Sequence, residues 1–224
     1  MKNHIIILGV LVLITYRPLC QESRIDTFEE FLGHEYSELL TKRVESVDQF
    51  IRDNFYEHGL SEGYRKYLKT IESGEFKRSD WDYSNTGIDS LNALFEKSGL
   101  WEEIYEKPDT VWIEGDKLHF KTTYFDGKDT LVGEGYTFGQ DIGHISNVDS
   151  LIQQEMNNLT FNLYGKFFRG LDLVQAPDST IISYVDAKQA AGNISPEIIA
   201  SALLKMDANL SDYFVKRIIA IELF

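Results

Sequence analysis

The chain has 224 residues, enough for one domain with its own apolar core, and it carries 36 acidic against 22 basic side chains, a formal charge of −14. That balance disfavours nucleic acid, which needs grouped cations to release its counterions, and Lys42-Arg43 and Lys77-Arg78 are isolated pairs among acids. The one cysteine, Cys20, excludes a disulfide framework and any centre built on a cysteine pair.

The first twenty residues form a unit. Behind Lys2, the stretch from Ile5 to Ile14 is apolar and has the length of a signal-peptide core, well short of the roughly 20 residues that span a bilayer. Arg17 and Pro18 then stop it from continuing as an anchoring helix. Residues 1–20 therefore read as an export signal and residues 21–224 as a single folded domain. Cys20 has two readings. Its place after the apolar run and before Gln21-Glu22-Ser23 resembles the lipidated cysteine of bacterial lipoprotein precursors, although Leu19 replaces the small residue usual there. Alternatively, an ordinary peptidase cuts after Cys20. Under either reading the protein is exported to the periplasm, an outer-membrane tether or the exterior, and a lipid on Cys20 is its one expected membrane contact. Residues 1–20 hold Lys2, Arg17 and no acid, so the remainder carries 20 basic and 36 acidic residues, a charge of −16.

From Asp26, apolar residues recur at intervals of three or four: Phe28, Leu32, Tyr36, Leu40, Val44, Val47, Ile51 and Phe55. The spacing predicts a long amphipathic helix that Gly33 can break, with Asp26 and Glu29 as a capping box and Gly59 as a stop. Tyr64, Tyr67, Leu68 and Ile71 predict a second helix from Ser61 to about Ser73, ended by Gly74. After a loop over residues 75–85, Ile88, Leu91, Leu94 and Phe95 predict a third that stops near Gly99.

From Thr110 the period changes to two. Val111 and Ile113 alternate with Trp112, Gly115-Asp116 suits a tight turn, Leu118, Phe120 and Thr122 return, and Asp126-Gly127 turns again, so residues 110–138 predict an antiparallel β-meander. Val148, Ile152, Met156, Leu159, Leu163 and Phe167 resume helical spacing, widened by Phe161, Tyr164 and Phe168. They predict one long buried helix to about Phe168, lying across the sheet as its packing centre. Thr180 to Val185 reads as a strand, Ser195-Pro196-Glu197 as a helix start, and the β-branched run Val215 to Phe224 as a final strand with a helical alternative. The expected fold is α+β: N-terminal helices, central antiparallel β-meander, long buried helix and C-terminal strand-helix-strand.

The chemical motifs are mostly absent. No phosphate-binding G-x-x-x-x-G-K and no G-x-S-x-G elbow occur, and the glycines Gly133, Gly135 and Gly139 read as bends in the meander. His34 and Glu38 lie one helical turn apart but lack a third ligand, so a polar helix face accounts for them and neither a metal nor another cofactor is expected. Asp126-Gly127-Lys128-Asp129 reads as a hairpin turn, not a calcium loop. The sequon at Asn158 falls on the helix expected to be buried, and those at Asn193 and Asn209 read as chance.

Aromatic residues offer the positive signal. Trp81, Trp101, Tyr105 and Trp112 lie within about thirty residues, interleaved with Asp80, Asp82, Glu102 and Glu103. Flat apolar rings beside carboxylate acceptors suit a sugar or a protein surface, and these four residues are the candidate ligand-binding set, set against plain core packing. Two function classes follow. One is a non-catalytic binding module of the cell envelope or exterior whose partner is a protein or small ligand. The other is an exported hydrolase with paired carboxylates, drawn from Glu134, Asp141 and Asp82 with His119 or His144 nearby.

Overall fold

The helical spacing of the first third of the chain is realised as α1 over residues 21–32, α2 His34–Phe55, α3 Leu60–Glu72 and α4 Ile88–Ser98. The computed structural model describes residues 21–56, 58–115, 117–125, 130–137 and 147–224, with the backbone alone for Arg78, Tyr124, Phe125 and residues 130–137. Residues 1–20, expected to be an export signal and including Cys20, residues 126–129, expected to turn, and Asp141 and His144 lie outside the described residues, as does the side chain of Glu134. Phe28, Leu32, Leu40, Val44, Val47, Ile51 and Phe55 are all buried, so the three-four spacing marks a true face. Gly33 divides it. Its φ of 88° is left-handed backbone that a side chain would strain, and the stripe continues on a second helix.

After α4 come β1 (Tyr105–Glu106) and then β2 (Thr110–Glu114), β3 (Lys117–Phe125) and β4 (Thr130–Thr137), which pair antiparallel in the order β2-β3-β4 as the period of two predicts. The register sets Val111 opposite Phe120 and Ile113 opposite Leu118. That apolar face meets Leu151, Ile152 and Met156 of α5 (Val148–Met156) in a small cluster of its own. On the other face Trp112 stacks on its cross-strand partner His119, ring centroids 5.3 Å apart. The short β5 (Thr160–Phe161) pairs with β1.

The protein is thus α+β, but its second half corrects three expectations. The single helix from Val148 to Phe168 is instead α5, β5 and α6 (Lys166–Val174). Asn157 caps α5, and Gly165 opens α6 so close to the turn after α4 that a Cβ on it would stand 2.1 Å from the Glu103 carbonyl oxygen. No residue of α5 is buried and Leu159 is 49 % exposed, so this segment is not the packing centre; Asn158 is exposed too. Thr180 to Val185 is not a strand but part of α7 (Ser179–Ala191). The Asp178 carboxylate accepts from the Thr180 and Ile181 amides, and Ile181, Tyr184, Val185 and Lys188 follow at helical spacing on the buried side. Val215 to Phe224 is not a strand either. It belongs to α9 (Tyr213–Glu222), which follows α8 (Pro196–Lys205) and is capped by Asp212 on the amides of Phe214 and Val215.

The helix α9 lies at the centre of the main core, which explains its conformation: a chain enclosed by helices must satisfy its own backbone groups, and only a helix does so without a strand partner. Phe214, Val215, Ile218, Ile219, Ala220 and Ile221 are buried against residues of α2 and α7. The carbonyls at its C-terminal end, which a helix leaves unpaired, are taken by side chains from elsewhere. Arg43 Nε donates to Ala220 at 2.9 Å, the Tyr105 hydroxyl to Ile221 at 2.7 Å, and the Tyr67 hydroxyl to Leu223. Among the described residues no helix is long and apolar enough to cross a membrane.

Candidate functional site

The contacts at the end of α9 also fix the walls of a groove. A cavity of about 560 Å³ is lined by Arg43, Tyr83, Trp101, Tyr105 and Glu222, among others. A second, of about 870 Å³, is lined by Glu102, Glu106, Lys107, Asp109 and Asn162, among others. Asn92, Trp101, Tyr105 and Leu159 belong to the walls of both, so the two cavities adjoin across the Trp101–Tyr105 pair.

Local structure holds that pair. Gly99, at φ 80°, closes α4 in the left-handed conformation, and the turn that follows returns Tyr105 N to the Trp101 carbonyl at 2.7 Å. The rings of Trp101 and Tyr105 lie 5.1 Å apart at 42°. Arg43, 4 % exposed, places its guanidinium 5.4 Å from the ring centres of both Phe95 and Trp101 and donates Nη1 to Asn92 at 2.8 Å. Burial, reinforced by the charge of Glu222 and opposed by Arg43, pushes the Tyr105 phenol well above its ordinary range, so it stays a donor.

Glu222 reaches the first cavity from within a buried network. Lys188 Nζ, 1 % exposed, lies 2.8 Å from one of its carboxylate oxygens and 3.0 Å from the other, the Tyr184 hydroxyl donates to the same group, and Lys188 rests 4.0 Å above the Phe161 ring. At the other end the Glu106 carboxyl is raised above the usual glutamate range. Burial is the main cause; a contact from the Thr160 hydroxyl opposes it and Asp109 adds to it. Glu106 Oε2 is buried and has no hydrogen-bond partner among the described residues.

Of the four aromatic candidates, the fold brings Trp101 and Tyr105 together and leaves the other two elsewhere. Trp81 stacks on Phe55 at 4.5 Å and lies nearly parallel to Phe76 at 6.2 Å, within the helical core. Trp112 is on the sheet face with His119. Asp82 is exposed in a loop, where the Ser84 amide and hydroxyl hold its carboxyl below the usual range. Glu38 is engaged by Lys42 at 2.8 Å, and among the described residues no group of three or more histidines, cysteines or carboxylates is placed to hold a metal. Arg43, Asn92, Glu106 and Glu222 are wall residues that sequence reasoning missed. A signal existed for two of them: Arg43 stands four residues after Leu39 and four before Val47, and Glu222 four after Ile218, so each charge interrupts an apolar face. Compared with known proteins, the chain matches no family model, no curated protein and no solved structure.

Proposed function

We propose that this chain is an exported, acidic, non-catalytic binding module of the cell envelope or exterior that holds its ligand in the groove floored by Trp101 and Tyr105. One observation carries the reading: two adjoining cavities share an aromatic wall whose polar supports are tied to the end of the central helix. A rigid ring pair with amide and carboxylate neighbours offers flat apolar area and hydrogen-bond acceptors, the combination that orients a polar, ring-bearing ligand. The test is intrinsic fluorescence during titration with soluble oligosaccharides. A saturable change that Trp101→Ala removes, with an unchanged thermal melt, supports the groove. A change that survives in Trp101→Ala places binding elsewhere. The export half of the proposal rests on residues 1–20, and mass spectrometry of protein from its native host tests it: an N-terminus at Met1 sinks it, and a diacylglyceryl mass on Cys20 assigns the lipid.

A second reading, a hydrolase working through carboxylates, is favoured by the raised Glu106 carboxyl beside Asp109 in one cavity. A carboxyl held above its ordinary range is suited to donate a proton to a leaving group. No hydrogen bond joins the two acids among the described residues; Asp109 Oδ2 instead accepts from the Thr123 amide at 2.6 Å. Release of new reducing ends from bound oligosaccharides, abolished in Glu106→Gln, would decide for this reading.

A further inference from the structure

The second cavity carries charge of nearly one sign. Its described lining includes Glu96, Glu102, Glu103, Glu106 and Asp109 against Lys107 as the one cation. Two of these acids are already engaged, Glu103 by the Lys166 amide at 2.7 Å and Asp109 by the Thr123 amide. Glu106 is engaged at one oxygen only. Its Oε1 accepts from the Thr160 hydroxyl at 3.4 Å, and its Oε2 has no donor among the described residues. A buried carboxylate oxygen without a donor is costly, and a cation in the adjoining space offsets that cost by Coulomb attraction. Trp101 and Tyr105 line this cavity, and aromatic rings attract a cation to their faces and offer a flat surface to a sugar ring. A lysine side chain would use the charge but not the flat surface, and a neutral sugar the reverse.

We propose that the second cavity binds an oligosaccharide bearing free amino groups, with sugar rings on the Trp101–Tyr105 wall and ammonium groups facing Glu102 and Glu106. The inference rests on the binding-groove reading and narrows its ligand. Isothermal titration of the protein at about pH 6, below the ordinary titration range of amines, compares a glucosamine hexamer, its fully N-acetylated counterpart and hexalysine. The glucosamine hexamer should bind at least ~10-fold more tightly than either, and more weakly as salt is raised. Glu106→Gln and Glu102→Gln, each checked by thermal melt, should bring its affinity down toward that of the N-acetylated hexamer while leaving the latter unchanged. Equal or tighter binding of the N-acetylated hexamer, lost in Trp101→Ala, overturns the charge selection and leaves the groove intact. Hexalysine binding as tightly as the glucosamine hexamer, insensitive to Trp101→Ala, reduces the cavity to a counterion site. No binding of either sugar overturns this inference and the groove reading together.

Discussion

The helical body and the three-stranded sheet are held together by different means. In the body, buried residues run from Phe28 to Leu223 as one connected cluster, and polar side chains pin helix to helix: Tyr64 donates to Asp48 at 2.7 Å, and Asp48 also takes Lys216 at 2.9 Å, tying α2, α3 and α9. Among the described residues, the sheet has Val111 and Leu118 as its buried apolar side chains, screened by α5, which buries none of its own. Its order comes from the backbone ladder. Regions with few buried apolar contacts open at lower free energy than the core, so the two parts should differ in stability within one domain.

The largest effect expected from breaking this contrast is Phe50→Ala. Phe50 is fully buried and its ring lies within 6 Å of those of Phe55, Tyr67, Tyr83 and Phe224, so its loss should cost about 3–5 kcal/mol in a denaturant melt. Next comes Glu222→Gln, which leaves Lys188 a buried charge without its counter-charge and should cost about 3 kcal/mol. Adding Lys188→Met should recover much of that loss, and a double variant no more stable than the single one would refute the ion-pair account. Leu118→Ala should act locally. Native-state hydrogen exchange of the β2 and β3 amides should accelerate by about 10-fold or more while those of α9 change far less, and equal changes in both would mean that body and sheet unfold as one unit.

The smallest effect lies at the junction. Because the Glu106 carboxyl is raised in the folded state, its protonated form is the one the fold prefers. The stability it contributes is therefore fully present below the unfolded glutamate pKa of about 4.3 and is lost as pH rises through the raised folded value. Glu106→Gln mimics the protonated form, so it should melt slightly higher than the parent near neutral pH and show no advantage in acid. A variant less stable than the parent at neutral pH would show that the carboxylate is satisfied by a partner.

Much of the first half of the fold was legible in the sequence because one physical signal dominated each stretch. The stripe from Phe28 to Phe55 could face only a core, the glycines at 33 and 99 marked left-handed breaks, and the alternation from Val111 to Thr122 named one face of a sheet. The second half was not, since β-branched runs such as Thr180–Val185 and Val215–Ile221 carry strand propensity that only their surroundings overrule. Enclosed by other helices, with Asp178 and Asp212 ready to cap them, these segments satisfy their backbones as helices. Gly165 shows the limit most directly, because a steric demand made by the Glu103 carbonyl, 62 residues away, leaves no trace in the local pattern.

The groove divides in the same way. The sequence by itself determined that Trp101 and Tyr105 stand four residues apart among acids, and a single turn after α4 suffices to bring their rings together. Only the tertiary structure decided that Trp81 and Trp112 go elsewhere and that Arg43, Asn92, Glu106 and Glu222 join the walls. The physical reason is that periodicity reports which side of an element faces the interior, whereas a cavity wall is made where the ends of several elements meet, and the free carbonyls at the end of α9 draw Arg43 and Tyr105 to that place.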